Sequence, residues 1–367
     1  VTASTPGLDL ARDFYAEAVE SLVGVPHTAA LIGEGSEILG YDDAQSRDHE
    51  WGPRLQVFVD EGDVRDVEDR IERGLPDVFR GSPTSWFSLI AGRDAHHVEV
   101  STLGGWVSAR LPTLPFTPTD PLDTAAWPTI PQQHLLQLTA GEVFRDDLGD
   151  LTRLRETFSW YPVDIWRWMI ASQWNLLATT MPMLGRAEQT GDALGAGLLA
   201  SQAIRQIMEM AFLLERRYRP YPKWFGRAFA ELDMAERLSP SLRRALGARE
   251  GRGTEAKSED GPVEPLLDAL VVLATRHNEL GISAPGTPRI GPFKVGINEA
   301  VRPYRTLDIG PFIEATVASI EDPALRELPR VGSIDQLTHA DDQLINFTSW
   351  PRILREDLRR ELERATP

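Results

Sequence analysis

Cysteine is absent from the 367 residues. Disulfides, thiolate metal sites and a cysteine nucleophile are therefore excluded. Lysine is nearly absent. Among 38 basic residues only Lys223, Lys257 and Lys294 are lysines. Arginine is thus the general surface cation, and a lysine kept in that background suits a phosphate oxygen as a compact point charge. No apolar run approaches the roughly 18 residues of a membrane-spanning helix. The first residues lack the basic stretch followed by an apolar one that marks a secretory signal, so a cytoplasmic location is expected. Positive charge is scarce overall, with a net charge of −17. That balance argues against nucleic acid, which demands a basic footprint, and against anionic membrane surfaces.

What is present reads as an ordinary globular chain long enough for two cores. Apolar positions 10, 14, 18 and 22 predict a helix over Leu8–Leu22. Thr28–Ile32 reads as a short buried strand ending at Gly33. Asp48–Val59 reads as extended, Val64–Leu75 as a charged helix, and Trp86–Ile90 and His97–Leu103 as further strands. A stretch rich in proline and threonine over Pro112–Pro131 reads as a linker. Beyond it, Leu135–Phe144, Leu151–Phe158, Pro162–Leu177, Leu194–Arg217, Trp224–Leu238 and Pro265–Leu280 all favour helix. Ser283–Pro303 is rich in glycine and proline. The expected class is α+β: a mixed sheet with flanking helices over residues 1–120, then a mainly helical domain over residues 121–367.

The informative segment runs from Gly35 to Glu50. A Gly35-Ser36 turn follows a buried strand, and twelve positions after Ser36 comes Asp48, with Glu50 two further on. On a strand, residues i and i+2 share a face, so both carboxylates can hold one divalent cation. A third acid, Glu99, stands between Val98 and Val100. A carboxylate on a buried strand is unfavourable unless paired or metal-bound. Phosphoryl transfer needs such parts: carboxylate-held cations for the charge at the attacking and leaving oxygens, and backbone N–H groups with a hydroxyl for the triphosphate. Pro53 follows the acids closely and calls for a bulge or an edge position, because proline donates nothing to a ladder.

The pattern Gly35-Ser36, Asp48-His49-Glu50 and Glu99 resembles the nucleotidyltransferase superfamily that includes DNA polymerase beta and kanamycin nucleotidyltransferase. The wider string from Gly35 through Ser46-Arg47-Asp48-His49-Glu50-Trp51-Gly52-Pro53 resembles a bacterial family known only as a domain of unknown function. So do Leu138–Phe144, Trp160–Trp166 and Tyr221–Trp224. The resemblance implies a polymerase-beta-like sheet and Mg²⁺ or Mn²⁺ on Asp48, Glu50 and Glu99, which then act as the catalytic carboxylates. It implies a nucleoside triphosphate contacted by Gly35 and Ser36. The expected reaction moves a nucleoside monophosphate, AMP foremost, onto a hydroxyl of a small-molecule acceptor bound between the two domains. The alternatives are transfer onto a protein side chain, and a nucleotide-binding protein that performs no transfer.

Lys223, in the aromatic stretch Tyr221-Pro222-Lys223-Trp224, and Arg205, four before Glu209, are further candidates for the triphosphate. Arg205 has a plain alternative as half of a solvated helical pair. Glu142 and Asp164 are candidate general bases. The tryptophans at 160, 166, 168 and 174 read first as core. His96 and His97 are adjacent, so on a strand they face opposite ways and make no shared metal site.

Overall fold

The computed structural model describes residues 6–43, 45, 51–88, 92–114, 122–247, 261–295, 300–346 and 349–366. Two compact units emerge. One runs to Leu122 and resumes over Gln132–Trp160; the other comprises Asp123–Pro131 and the chain from Tyr161 onward.

The first unit opens on a helix whose apolar face, Leu10, Ala11 and Phe14, is buried. It comprises α1 (Gly7–Phe14), a π-type turn at Tyr15–Val19 and α2 (Glu20–Val23). Then come β1 (Thr28–Leu31), β2 (Arg54–Phe58) and α3 (Val64–Gly74). A two-residue ribbon follows, β3 (Val78–Phe79) against β4 (Ser82–Pro83). The rest of the unit is β5 (Ser85–Ser88), β6 (Arg93–Ser101), α4 (Leu103–Arg110), α5 (Gln132–Thr139), β7 (Glu142–Asp146) and α6 (Asp150–Thr157).

Five strands form one mixed sheet in the order β5-β6-β2-β1-β7. β2 and β6 are parallel; the other neighbours are antiparallel. A parallel pair needs a long crossover, and the chain supplies it through α3. The pleat sorts the side chains. Ala29, Leu55, Val57 and Val98 face the core built with α1, α2 and α3, where Phe14, Val67 and Ile71 meet them. Arg54, Gln56, His97 and Glu99 alternate with those residues and take the opposite face.

Two expectations are corrected here. The helix expected over Leu135–Phe144 stops at Thr139, and Glu142–Asp146 is instead the edge strand beside β1. Leu135 and Leu138 carry helical spacing, whereas Val143 and Phe144 are strand formers that the sheet recruits. Pro53 does not interrupt a strand, because β2 begins one residue after it. Trp51–Pro53 are therefore outside the ladder, although the extended reading included them.

The second unit is mainly helical, with α7 (Val163–Gln189) and α8 (Ala193–Leu214) as its longest elements. α9 (Pro222–Ala230), α10 (Ala235–Ala245) and α11 (Val263–Glu279) follow. A hairpin, β8 (Ile290–Lys294) with β9 (Val301–Leu307), occupies the glycine- and proline-rich stretch that showed no strand pattern. The chain closes with α12 (Gly310–Ala318), α13 (Pro323–Glu327), α14 (Ile334–Thr338), α15 (Asp342–Asn346) and α16 (Trp350–Ala365). Among the described residues no helix is long and apolar enough to cross a membrane. Trp166, Trp168 and Trp174 lie in this core, as expected for structural tryptophans.

His277 of α11 is fully buried beside Trp174 and Phe312. Burial pushes its imidazole down to about 4 from an ordinary 6.5. The folded state therefore takes up fewer protons than the unfolded chain between those values. Its stabilising contribution is complete above pH 6.5 and is lost as pH falls toward 4, by about 3 kcal/mol in all. Urea unfolding at pH 7 and pH 4.5 should register that loss, and His277→Gln should remove most of the slope. An unchanged slope in the variant would assign the acid sensitivity to other groups.

Candidate functional site

The turn between β1 and β2 is fixed from several sides. Gln56 is buried on β2, and its Oε1 accepts the N–H of Ile32 at 3.0 Å. The N–H of Gly33 donates to the carbonyl of Gln137 at 2.8 Å. Arg54 donates from Nε to Glu37 Oε1 at 2.8 Å, and from its terminal nitrogen to the same carboxylate and to the Glu34 carbonyl. Glu37 is buried, so the pair is largely shielded from water.

Glycine is required twice in this turn. Gly33 has φ +95° with Trp106 3.1 Å from where a Cβ would stand. Gly35 has φ +139°, and a Cβ there would meet the Arg54 guanidinium at 2.3 Å. Any other residue would be strained at these angles, and at Gly35 it would also displace the arginine. Ser36 follows at the head of a short 3₁₀ turn, Glu37–Leu39, and its carbonyl accepts the N–H of Tyr41 at 2.8 Å. The Ser36 hydroxyl makes no hydrogen bond to a described residue.

A pocket of about 320 Å³ opens beside this turn. Gly33, Arg54, Gln56, His97, Glu99 and Arg110 line it, with Trp106 as an apolar wall. β5 pairs with β6 only over Arg93–His96, so the pocket also wraps the edge of β6 beyond that point. Glu99 stands opposite Gln56 in the parallel register. Its flanking valines turn toward the other face, and its carboxylate is 38% exposed. Burial therefore imposes little penalty on this acid, contrary to the reading of a buried strand position. Its partner is Arg110 at the end of α4, at 3.0 Å.

Asp48 and Glu50 lie outside the described residues. Among the described residues no three acids or histidines are grouped to hold a metal. Of the nearby acids, Asp42 has a structural role: its Oδ2 accepts the N–H of Gly7 at 2.9 Å and the Trp51 indole at 3.1 Å. His96 pairs with Glu72 on α3 at 3.1 Å, while His97 stacks on Trp86 with ring centres 3.7 Å apart.

The candidates in later sequence fare differently. Glu142 grips Arg12 with both oxygens, at 2.6 and 2.5 Å. This pair raises the Arg12 guanidinium above its usual range. Asp164 is also engaged, since its Oδ2 accepts the N–H groups of Glu321 and Asp322 at 3.0 and 2.9 Å. Arg205 and Glu209 do not form the expected helical pair. Arg205 is exposed, whereas Glu209 is buried against Arg219 at 3.3 Å and Gln173 at 3.2 Å. Lys223 is exposed in the first turn of α9, its Nζ 4.9 Å from the centre of the Trp224 ring.

One pairing that sequence reasoning did not single out resembles a nucleophile and base: Ser283 Oγ lies 2.9 Å from His277 Nε2. The tautomer excludes that role. Trp174 can only donate, and its indole N–H reaches His277 Nδ1 at 3.3 Å. The neutral ring therefore carries its proton on Nε2 and donates it to Ser283, whose own proton goes to the Ala284 carbonyl. Arg54, Glu37, Gln56 and Arg110 were also missed. Alternation with Leu55 and Val57 marks Arg54 and Gln56, but nothing in the sequence joins Arg54 to Glu37 or Arg110 to Glu99.

Residues 127–225 match a family described as a domain of unknown function (DUF4037). The matched stretch includes the strings Leu138–Phe144, Trp160–Trp166 and Tyr221–Trp224. The chain matches no curated protein and no solved structure.

Proposed function

We propose that the sheet-bearing unit is a nucleotidyltransferase centre that moves a nucleoside monophosphate, AMP foremost, from a triphosphate to a hydroxyl of a small-molecule acceptor. One observation carries the reading: Ile32, Gly33 and Glu34, which lead directly into the glycine-serine turn, line a pocket that Glu99 also lines from the neighbouring parallel strand. Glu99, an accessible carboxylate on the pocket face, suits a metal–nucleotide. Asp48 and Glu50 would supply the other oxygen ligands. Mg²⁺ or Mn²⁺ on these three residues would neutralise charge on the phosphates and leaving pyrophosphate.

The chain's own contribution is positioning. The Ser36 hydroxyl and the N–H groups of the turn donate to phosphate oxygens, in a loop that Arg54, Gln56 and Gln137 prevent from collapsing. Lys223 and Arg205 are exposed cations of the helical unit and remain candidates for phosphate in this reading. A second reading, nucleotide binding without transfer, draws support from Asp164, whose carboxylate already accepts two backbone N–H groups.

Pure protein with Mg²⁺, each α-labelled triphosphate and a metabolite extract should release pyrophosphate and label one extract component. Tight nucleotide binding without pyrophosphate release would favour the second reading. Absence of binding to every triphosphate would end both.

A further inference from the structure

We propose that Arg110 exchanges partners during nucleotide binding, giving up Glu99 and taking a phosphate oxygen of the triphosphate; this assignment rests on the nucleotidyltransferase reading of the same pocket. Arg110 and Glu99 both line the pocket and are equally exposed, each at 38%. Such a pair is held weakly, because water screens it and ordering two long side chains is entropically unfavourable. Of the two other lining guanidiniums, Arg93 stands at the far end of β6, six residues before Glu99, and Arg54 cannot take this part. It is half as exposed as Arg110 or less, and its nitrogens already serve Glu37 and the Glu34 carbonyl.

Charge makes the exchange necessary. Glu34, Glu68, Glu72 and Glu99 give the pocket wall an excess of carboxylate over guanidinium. A triphosphate entering it needs a cation from the protein as well as the metal. When Glu99 turns to the metal, its guanidinium partner is left beside the incoming anion. A planar fork with several N–H donors then suits phosphate oxygens. Until that moment Arg110 competes with the metal for Glu99. Removing Arg110 should therefore strengthen metal binding and weaken nucleotide binding, two effects of opposite sign from one substitution.

The test compares wild type, Arg110→Ala and Arg110→Lys. Mn²⁺ alone is titrated by electron paramagnetic resonance, and ATP in excess Mg²⁺ by calorimetry. Arg110→Ala should bind Mn²⁺ about two- to fivefold more tightly, the scale of one exposed ion pair. It should bind ATP about tenfold more weakly, the scale of one charge-assisted hydrogen bond. Arg110→Lys should fall between, since it keeps the charge and loses the fork. Circular dichroism confirms that the variants fold, and Arg110→Lys alone suffices if the alanine form does not. ATP and Mn²⁺ affinities at wild-type levels in a folded variant would overturn the exchange, as would movement of only one of them. A wild-type protein that binds neither ATP nor Mn²⁺ would instead overturn the nucleotide reading itself.

Discussion

Asp48→Asn should lower pyrophosphate release at least about a hundredfold, the loss expected on removing one strong electrostatic stabiliser from a transfer site. Asparagine keeps the size of the side chain and one acceptor oxygen. It loses the negative charge that draws a hard divalent cation, and phosphoryl transfer depends mainly on positioning and charge stabilisation. Contacts from Ser36 and the turn amides would remain, so nucleotide affinity should fall less than turnover. Glu99→Gln should behave in the same way. The measurement is pyrophosphate release with the acceptor identified from the extract, beside circular dichroism of each protein. A folded Asp48→Asn protein working at the wild-type rate would remove this residue from the set of essential ligands.

Arg54→Ala should be the most destabilising single change near the pocket, by about 3–5 kcal/mol, the cost of breaking a buried ion pair from one side. It leaves Glu37 buried without its cation and the Glu34 carbonyl without its donor. Arg54→Lys should recover only part of the loss, because one ammonium cannot reproduce the spread of the guanidinium donors. The double change Arg54→Met with Glu37→Leu should recover more, since no buried charge then remains unpaired. Urea unfolding midpoints of the four proteins would decide. If Arg54→Ala unfolds at the wild-type midpoint, the pair contributes little to holding the turn.

How much of this was legible in sequence depended on whether a feature was local. β1, α3 and the alternation that puts Glu99 opposite Val98 and Val100 follow from periodicity alone. So does the separation of His96 from His97. β7 was hidden because Glu142-Val143-Phe144 continues an apolar helical pattern, and only pairing with β1 makes it a strand. The β8–β9 hairpin was hidden by Gly291, Pro292 and Pro303, residues that ordinarily signal a loop. The Arg54–Glu37 clamp joins residues 17 apart in sequence. It becomes visible only once β2 is known to begin at Arg54. Glu99 was identified as a candidate for a reason that the structure changes: it is an accessible acid with an arginine neighbour, rather than a buried one in need of a cation. Asp48 and Glu50 rest on the sequence pattern.

The return of the chain to the sheet after Asp123–Pro131 has a consequence during synthesis. β7 is made some forty residues after β6, so β1 gains β2 as a neighbour early and waits much longer for the other. A nascent chain halted near residue 120 would hold four of the five strands and a bare β1 edge, whose unpaired amides and carbonyls invite another chain. The same holds for a fragment trimmed at the proline-rich stretch, which looks like a natural place to cut. An expressible version of the sheet unit must therefore carry the sequence through Trp160.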